Sequence, residues 1–203
     1  IQSCVFSISN VIIQSAVNSF GSVVVAGNAA SGNIEGFAYT AMNSIHHATV
    51  TATAQNMGAK QEKRVYQSLR FGLGLVTGVG IVVGGLIVLF RAQLLGFYWW
   101  ESGVFDAGMG RIFIICSTYF LCGVMEVYVG HLRGMGYSLT PTIVSIIGVC
   151  GVRIGWIYTV FALYRNTAVL YASWPVSWIA TAAIHYLCIL ALRRKAIARA
   201  ISQ

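Results

Sequence analysis

The stretch GAKQEKRVYQSLRFGLGLVTGVGIVVGGLIVLF, from Gly58 to Phe90, decides how the rest of the chain is read. It opens on a charged loop holding Lys60, Glu62, Lys63 and Arg64, and then turns apolar from Tyr66 to Phe90. A helix crosses a hydrocarbon core about 30 Å thick with about 20 apolar residues, and this run is long enough to do so. A barrel strand would be about half that length and would alternate between two faces, which this stretch does not. The reading is a transmembrane helix with a basic loop before it.

Comparable runs lie on both sides. A first span runs from about Ser3 to Ala26 and a second from Ile34 to Met57, and the third is Tyr66 to Phe90. An aromatic and acidic stretch with Phe97 to Trp100, Glu101 and Asp106 separates these from a fourth span, Met109 to Leu132. The fifth is Thr142 to Leu163 and the sixth Tyr171 to Leu192, before the basic end RRKAIARA, Arg193 to Ala200. The fold class is therefore all-α, a polytopic transmembrane bundle of about six helices filling 1–203 as one unit.

Composition agrees. Charged residues are 9% of the chain and hydrophobic ones 57%, with a mean hydropathy of +0.75. Soluble domains carry roughly 25% charged residues, so the chain's partner is the lipid bilayer rather than water. The net charge of +8 does not point to nucleic acid, because the basic residues form no patch and fall between the apolar runs. The five cysteines, Cys4, Cys116, Cys122, Cys150 and Cys188, sit inside apolar runs with no metal-ligand spacing, so neither a metal nor a disulfide framework is expected.

The same basic residues set an orientation. With the Gly58–Arg64 loop on the cytoplasmic side, Arg133, Arg193, Arg194, Lys195 and Arg199 join it there. Arg91, Arg165 and Arg111 go to the outer side, beside Glu101 and Asp106. Positive charge concentrates on cytoplasmic loops, so both ends of the segment are expected to face the cytoplasm. Trp174, Trp178 and Tyr171 join the Phe97–Trp100 cluster near the outer interface.

Several spans carry more than an anchor needs. Ser3, Ser7, Asn10, Gln14, Asn18 and Gly21 recur every three or four residues and form one stripe along the first helix. Lipid penalises such a stripe, so it is expected to line a cavity or bond to neighbouring helices. In the second span Tyr39, Asn43 and His46 share a face as further cavity-lining candidates, with His47 and Thr51 towards the adjoining side. Adjacent residues on a helix point about 100° apart, so at most one of His46 and His47 is expected to matter, and a hydrogen-bonded packing histidine is the leading expectation. The third span crowds Gly72, Gly74, Gly78, Gly80, Gly84 and Gly85, with four-residue spacing at Gly74/Gly78 and Gly80/Gly84 that suits close helix packing in lipid.

Glu35 falls at the edge of an apolar run, whereas two charges are placed clearly inside spans. Glu126, on a face with Tyr119, Gly123 and Gly130, is a candidate for ion coupling together with Tyr119. Arg153, in the fifth span, is a candidate structural charge. Their depths differ by roughly 9 Å at about 1.5 Å per residue, so direct pairing would need Arg153 to reach inward. Pro141 opens the fifth span and Pro175 falls early in the sixth, where it can kink the helix. No GxSxG, HExxH or Walker sequence is present, and an enzyme is not expected.

The ordered set SISNVIIQSAVNSFGS (Ser7–Ser22), AQNMGAKQEKRV (Ala54–Val65), LRGMGYSLTP (Leu132–Pro141), GVRIGWIYTVF (Gly151–Phe161) and SWPVSW (Ser173–Trp178) resembles the carboxy-terminal half of multidrug and toxic compound extrusion (MATE) transporters. The resemblance implies a twelve-helix antiporter of two six-helix lobes in the bacterial cytoplasmic membrane, whose amino-terminal lobe is absent here. It implies export of small organic, often cationic, substrates by alternating access, driven by Na+ or H+, with no cofactor. The start at Ile1 and this likeness both point to a longer protein. Many members carry a carboxylate in the helix corresponding to the first span; here Ser7, Asn10 and Gln14 stand in that region, which shifts cation binding to Glu126 or to the missing lobe. A lipid-linked precursor flippase of the same superfamily is a second expectation, for which this half offers only Arg153 as a cavity cation. A non-transporting scaffold is a third, which would gain little from a wetted helix face.

Overall fold

The computed structural model describes the backbone of residues 2–98 and 102–202 and the side chains of 10–98 and 103–192. Trp99, Trp100 and Glu101, and the side chains of Ser3, Ser7 and Arg193–Ala200, all used above, lie outside what is described. Ten α-helices and one π-helical turn follow in order, with no strand among the described residues. They are α1 (Gln2–Asn18), α2 (Ser22–Gly58), α3 (Glu62–Leu89), α4 (Arg91–Gly96), α5 (Ser102–Ser117), α6 (Tyr119–Gly134), α7 (Leu139–Ser145), the π turn (Ile146–Gly151), α8 (Val152–Tyr158), α9 (Val160–Leu163) and α10 (Thr167–Ser202).

Three helical segments, Glu62–Leu89, Leu139–Leu163 and Thr167–Leu192, are long and apolar enough to cross a membrane. Gly103–Ser117 and Tyr119–Gly134 make a fourth if taken as one span bent by 46°. The bend falls at Thr118, whose hydroxyl donates to the Ile114 carbonyl at 2.9 Å, a back-bond that competes with the helix ladder. The more polar α1 and α2 complete a bundle consistent with about six spans.

The first two spans divide differently from the sequence expectation. The chain turns at Ser19–Gly21, not between Ala26 and Ile34, so Ser22–Ala26 belong to the second helix. Gly21 takes φ +91°, a conformation that side-chain-bearing residues rarely adopt, which fixes the corner there. The Gly, Asn and Ser residues of 27–33 look like a loop in sequence but serve close packing. A Cβ on Gly27 would come within 2.6 Å of the Val104 carbonyl oxygen, and the Ser31 hydroxyl donates to the Gly27 carbonyl at 2.7 Å.

Helix α2 is the centre of the bundle, with α3, α5 and α6 packed around it. Met42, Val76, Ile112, Ile115, Val127 and Leu132 are fully enclosed among these helices. Not every glycine of α3 serves this contact. Gly72 meets Thr49, Gly80 meets the Phe120 backbone and Gly84 meets the Cys116 carbonyl, whereas Gly74, Gly78 and Gly85 have open space beside them. Of the two four-residue glycine pairs, Gly80/Gly84 packs and Gly74/Gly78 does not. Glycines 123, 130 and 134 of α6 do the same work against Met42, His46 and Thr53 of α2.

Large apolar side chains cover the outside, among them Phe37, Phe71, Leu89 and Leu163, each more than two-thirds exposed. In water that many exposed hydrophobes would drive aggregation; against acyl chains they are the expected surface. The fifth span contains the π turn, where Gly148 nests on Thr181 of α10. Pro141 stands in the first turn of α7, and α10 continues through Pro175 as one helix.

Candidate functional site

Helix α1 has two unlike faces. Ala16 and Val17 are buried in a small core with Phe161 and Leu170, and the Trp156 indole N–H donates to the Val169 carbonyl at 2.9 Å beside it. Asn10, Gln14 and Asn18 lie on the adjoining face, exposed, with the Gln14 amide donating to Asn18 Oδ1 at 2.9 Å. The polar stripe thus points away from this chain's own helices. The side chain of Ser7, its next member, lies outside what is described.

On α2 the structure separates the three candidates. Tyr39 is exposed, Asn43 is half-buried, and His46 is only 3% exposed, enclosed between α2 and α6. His46 is therefore a packing histidine and not part of the open face. Its Nδ1–H donates to the Glu126 carbonyl at 2.7 Å and lies 3.4 Å from the Glu126 carboxylate. Gly130, one turn on, makes room for the imidazole. The open face lies one residue over. Thr40, Ser44, His47 and Thr51 are exposed at spacings of four, three and four, and the hydroxyls of Thr40, Ser44 and Thr51 donate to carbonyls of their own helix. Back-bonded hydroxyls stay hydrogen-bonded while still presenting an oxygen to whatever fills the space beside them.

Glu126 sits on α6 with its side chain 22% exposed, between the His46 interface and the open side. Tyr119, two turns earlier, is buried with its ring edge-on to Trp178 at 5.4 Å between centroids. Seven residues of helix set the two about 10 Å apart along α6, so Tyr119 belongs to the core and Glu126 to the edge of the open side. Arg153 does not reach Glu126. Its Nε–H donates to Ser177 at 3.0 Å and its guanidinium lies over Trp174 at 5.1 Å. That arrangement gives Arg153 a hydrogen bond and a π face but no carboxylate among the described residues.

The strongest ionic contact was not expected. Arg111 of α5 grips Glu35 of α2 through two hydrogen bonds of 2.7 Å, and also donates to Asn28 Oδ1. Both residues are 7% exposed. The Arg111 guanidinium stacks over Tyr171 at 5.5 Å and over Trp174 at 5.3 Å, so Trp174 is shared by two arginines. The sequence offered a signal: Glu35 lies just inside the second span and Arg111 just inside the fourth, with opposite charges at matching depth. Reading Glu35 as the edge of an apolar run and Arg111 as a loop charge hid it.

Polar faces along α1 and α2, with charges held inside the bundle, are more than a membrane anchor needs. The MatE family model matches residues 1–159, and the chain belongs to that family of transporters. It is 27% identical over 148 residues to the "Probable multidrug resistance protein YoeA" of Bacillus subtilis (strain 168), covering 73% of this chain and 32% of that one. Its fold matches the Vibrio cholerae MATE transporter VcmN in the bent form with a TM-score of 0.85 at 18% identity, over 98% of this chain and 44% of VcmN. It also matches the MATE transporter ClbM in complex with Rb+, with a TM-score of 0.82 at 13% identity, over 96% and 47% of the two chains. The chain therefore spans about a third of this curated relative and under half of the solved transporters it superposes on.

Proposed function

We propose that residues 1–203 are the carboxy-terminal six-helix lobe of an antiporter that exports small organic, often cationic, compounds in exchange for Na+ or H+. One observation carries the reading: the polar faces of α1 (Asn10, Gln14, Asn18) and α2 (Thr40, Ser44, His47, Thr51) are turned away from the lobe's own core. A wetted face is costly in lipid and useful only against a cavity or a second lobe. Glu126, at the edge of that side and held beside His46, is the lobe's candidate for binding the coupling ion. The Rb+ complex of ClbM, a fold relative, makes a monovalent cation a reasonable ligand class.

The membrane is the bacterial cytoplasmic membrane, with both ends of the segment on the cytoplasmic side, as the basic loops suggest. The flippase alternative loses ground on charge. Arg111 and Arg153, the inward arginines, are buried against Glu35, Ser177 and Trp174 and are not presented to the open face of α1 and α2.

The test is gradient-driven dye efflux from proteoliposomes, comparing this chain alone with the protein of its complete reading frame. Efflux from the longer protein alone is expected. Absence of efflux from both, with normal reconstitution, would sink the antiporter reading.

A further inference from the structure

A groove of about 530 Å³ runs between α2 and α3 at the end nearest the Gly58–Arg64 loop, apart from the polar stripes of the proposed transport face. Its α3 wall is Arg64, Gln67, Ser68, Phe71 and Leu75, and its α2 wall is Ile45, Ala48, Thr49, Ala52 and Asn56. Both walls follow spacings of three and four, so each is one helical stripe facing the other.

The groove changes character along its length. The loop end is polar: the Arg64 guanidinium, the Gln67 amide, and Asn56 Nδ2 donating to Ser68 Oγ at 3.2 Å. Going inward, the walls become Ala52, Ala48, Phe71 and Leu75, and the helices close on each other where Gly72 meets Thr49. The two alanines leave the slot open. From Arg64 to Leu75 the helix rises about 16 Å, close to half of a hydrocarbon core of about 30 Å. The slot is thus one leaflet deep.

Charge selects the occupant. Arg64 is exposed and makes no ion pair among the described residues, and Lys60 and Lys63 of the same loop end are exposed too, against the single acid Glu62. A cationic substrate would be repelled at this mouth, whereas an anionic headgroup with an acyl chain matches both ends. We propose that the α2–α3 groove is a binding site for an acidic phospholipid, its phosphate at Arg64 and Gln67 and one acyl chain laid along Ala52, Ala48 and Phe71. The site requires only the membrane embedding of α2 and α3, so it stands or falls separately from the antiport reading.

The test is native mass spectrometry of the protein from its complete reading frame, stripped of lipid in detergent. It is titrated with phosphatidylglycerol or with phosphatidylcholine of the same chains. Preferential retention of phosphatidylglycerol is expected, with affinity about fivefold lower in Arg64→Gln, the loss expected for one basic group at an anionic lipid. Ala52→Leu, which fills the slot, should reduce retention of both lipids, while Arg165→Gln, in a different loop, should change neither. Equal phosphatidylglycerol affinity in the wild type and Arg64→Gln would overturn the proposal, as would unchanged retention in Ala52→Leu. Retention of no lipid by the wild type, because the remainder of the protein covers the groove, would also overturn it. So would displacement of the lipid by millimolar inorganic phosphate, which would make this a phosphate site. Phe71→Trp gives a readout that needs no loss of binding. Brominated phosphatidylglycerol should quench it more than brominated phosphatidylcholine, and equal quenching counts against the site.

Discussion

His46 Nδ1 lies 2.7 Å from the backbone carbonyl of Glu126 and 3.4 Å from that residue's carboxylate, so one imidazole ties the position of the main chain and the acid together. The carbonyl bond fixes the Nδ1–H tautomer, and the neighbouring carboxylate receives the same positive edge. Helix α6 therefore presents Glu126 in a place that α2 controls.

That geometry separates two substitutions. Glu126→Gln keeps the shape and removes the charge, so in the full-length transporter efflux should fall by at least about tenfold, an effect of about 1.4 kcal/mol, with membrane abundance unchanged. His46→Ala removes the tie on α6 and opens space in the α2–α6 interface, so abundance and thermal stability should fall along with efflux. Dye efflux normalised to protein in the membrane reads both. Unchanged efflux in Glu126→Gln would take this acid out of the coupling mechanism.

The Glu35–Arg111 pair predicts a contrast of a different kind. Removing one partner leaves the other buried and uncompensated, so Glu35→Gln or Arg111→Met alone should destabilise the fold by about 3–5 kcal/mol. Replacing both with apolar residues of similar volume, Glu35→Leu with Arg111→Met, should recover most of that loss. Thermal unfolding in detergent checks the cycle, and a double variant no better than the worse single one would mean that the pair supplies more than mutual compensation.

The long apolar runs made the helical class legible, because a hydrocarbon core allows few other answers. What the sequence hid were the places where one residue type serves two purposes. The Gly, Asn and Ser residues of 27–33 suit a loop and a tight helix contact equally well, and only the α5 backbone against Gly27 decides. His46 and His47 differ by about 100° on one helix, so the open face moved by one residue once the packing of α2 against α6 was known. Glu35 and Arg111 are far apart in sequence, and a pair between two elements has no local signature. The stripe Asn10, Gln14, Asn18 was legible because all its members lie on one helix.

The two glycine pairs of α3 give a direct packing test. A methyl group on Gly84 would approach the Cys116 carbonyl oxygen to 2.4 Å, and backbone there has no room to yield, whereas one on Gly78 meets nothing within 4 Å. Gly84→Ala should cost about 1–3 kcal/mol, and Gly78→Ala should be neutral or slightly stabilising. Detergent-denaturation midpoints compare the two. Equal effects would mean that α3 and α5 do not pack at the observed spacing.

The open polar face of α2 makes a prediction about water. If Thr40, Ser44 and Thr51 border an aqueous cavity in the assembled transporter, cysteines placed there should react with a membrane-impermeant thiol reagent, in a background where the native cysteines are replaced. Ile81 of α3 provides the comparison: it is 57% exposed on another helix, and its apolarity suits acyl chains. Ser44→Cys and Thr51→Cys should label at least about tenfold faster than Ile81→Cys, because the reagent acts on a thiolate and thiolates form in water and not in lipid. An excess of substrate should slow labelling at Ser44→Cys if the stripe lines the transport path. Equal labelling at all three positions would place the polar stripe of α2 in the same environment as the apolar outside of α3, and the stripe would then be a surface satisfied by its own back-bonded hydroxyls rather than a cavity wall.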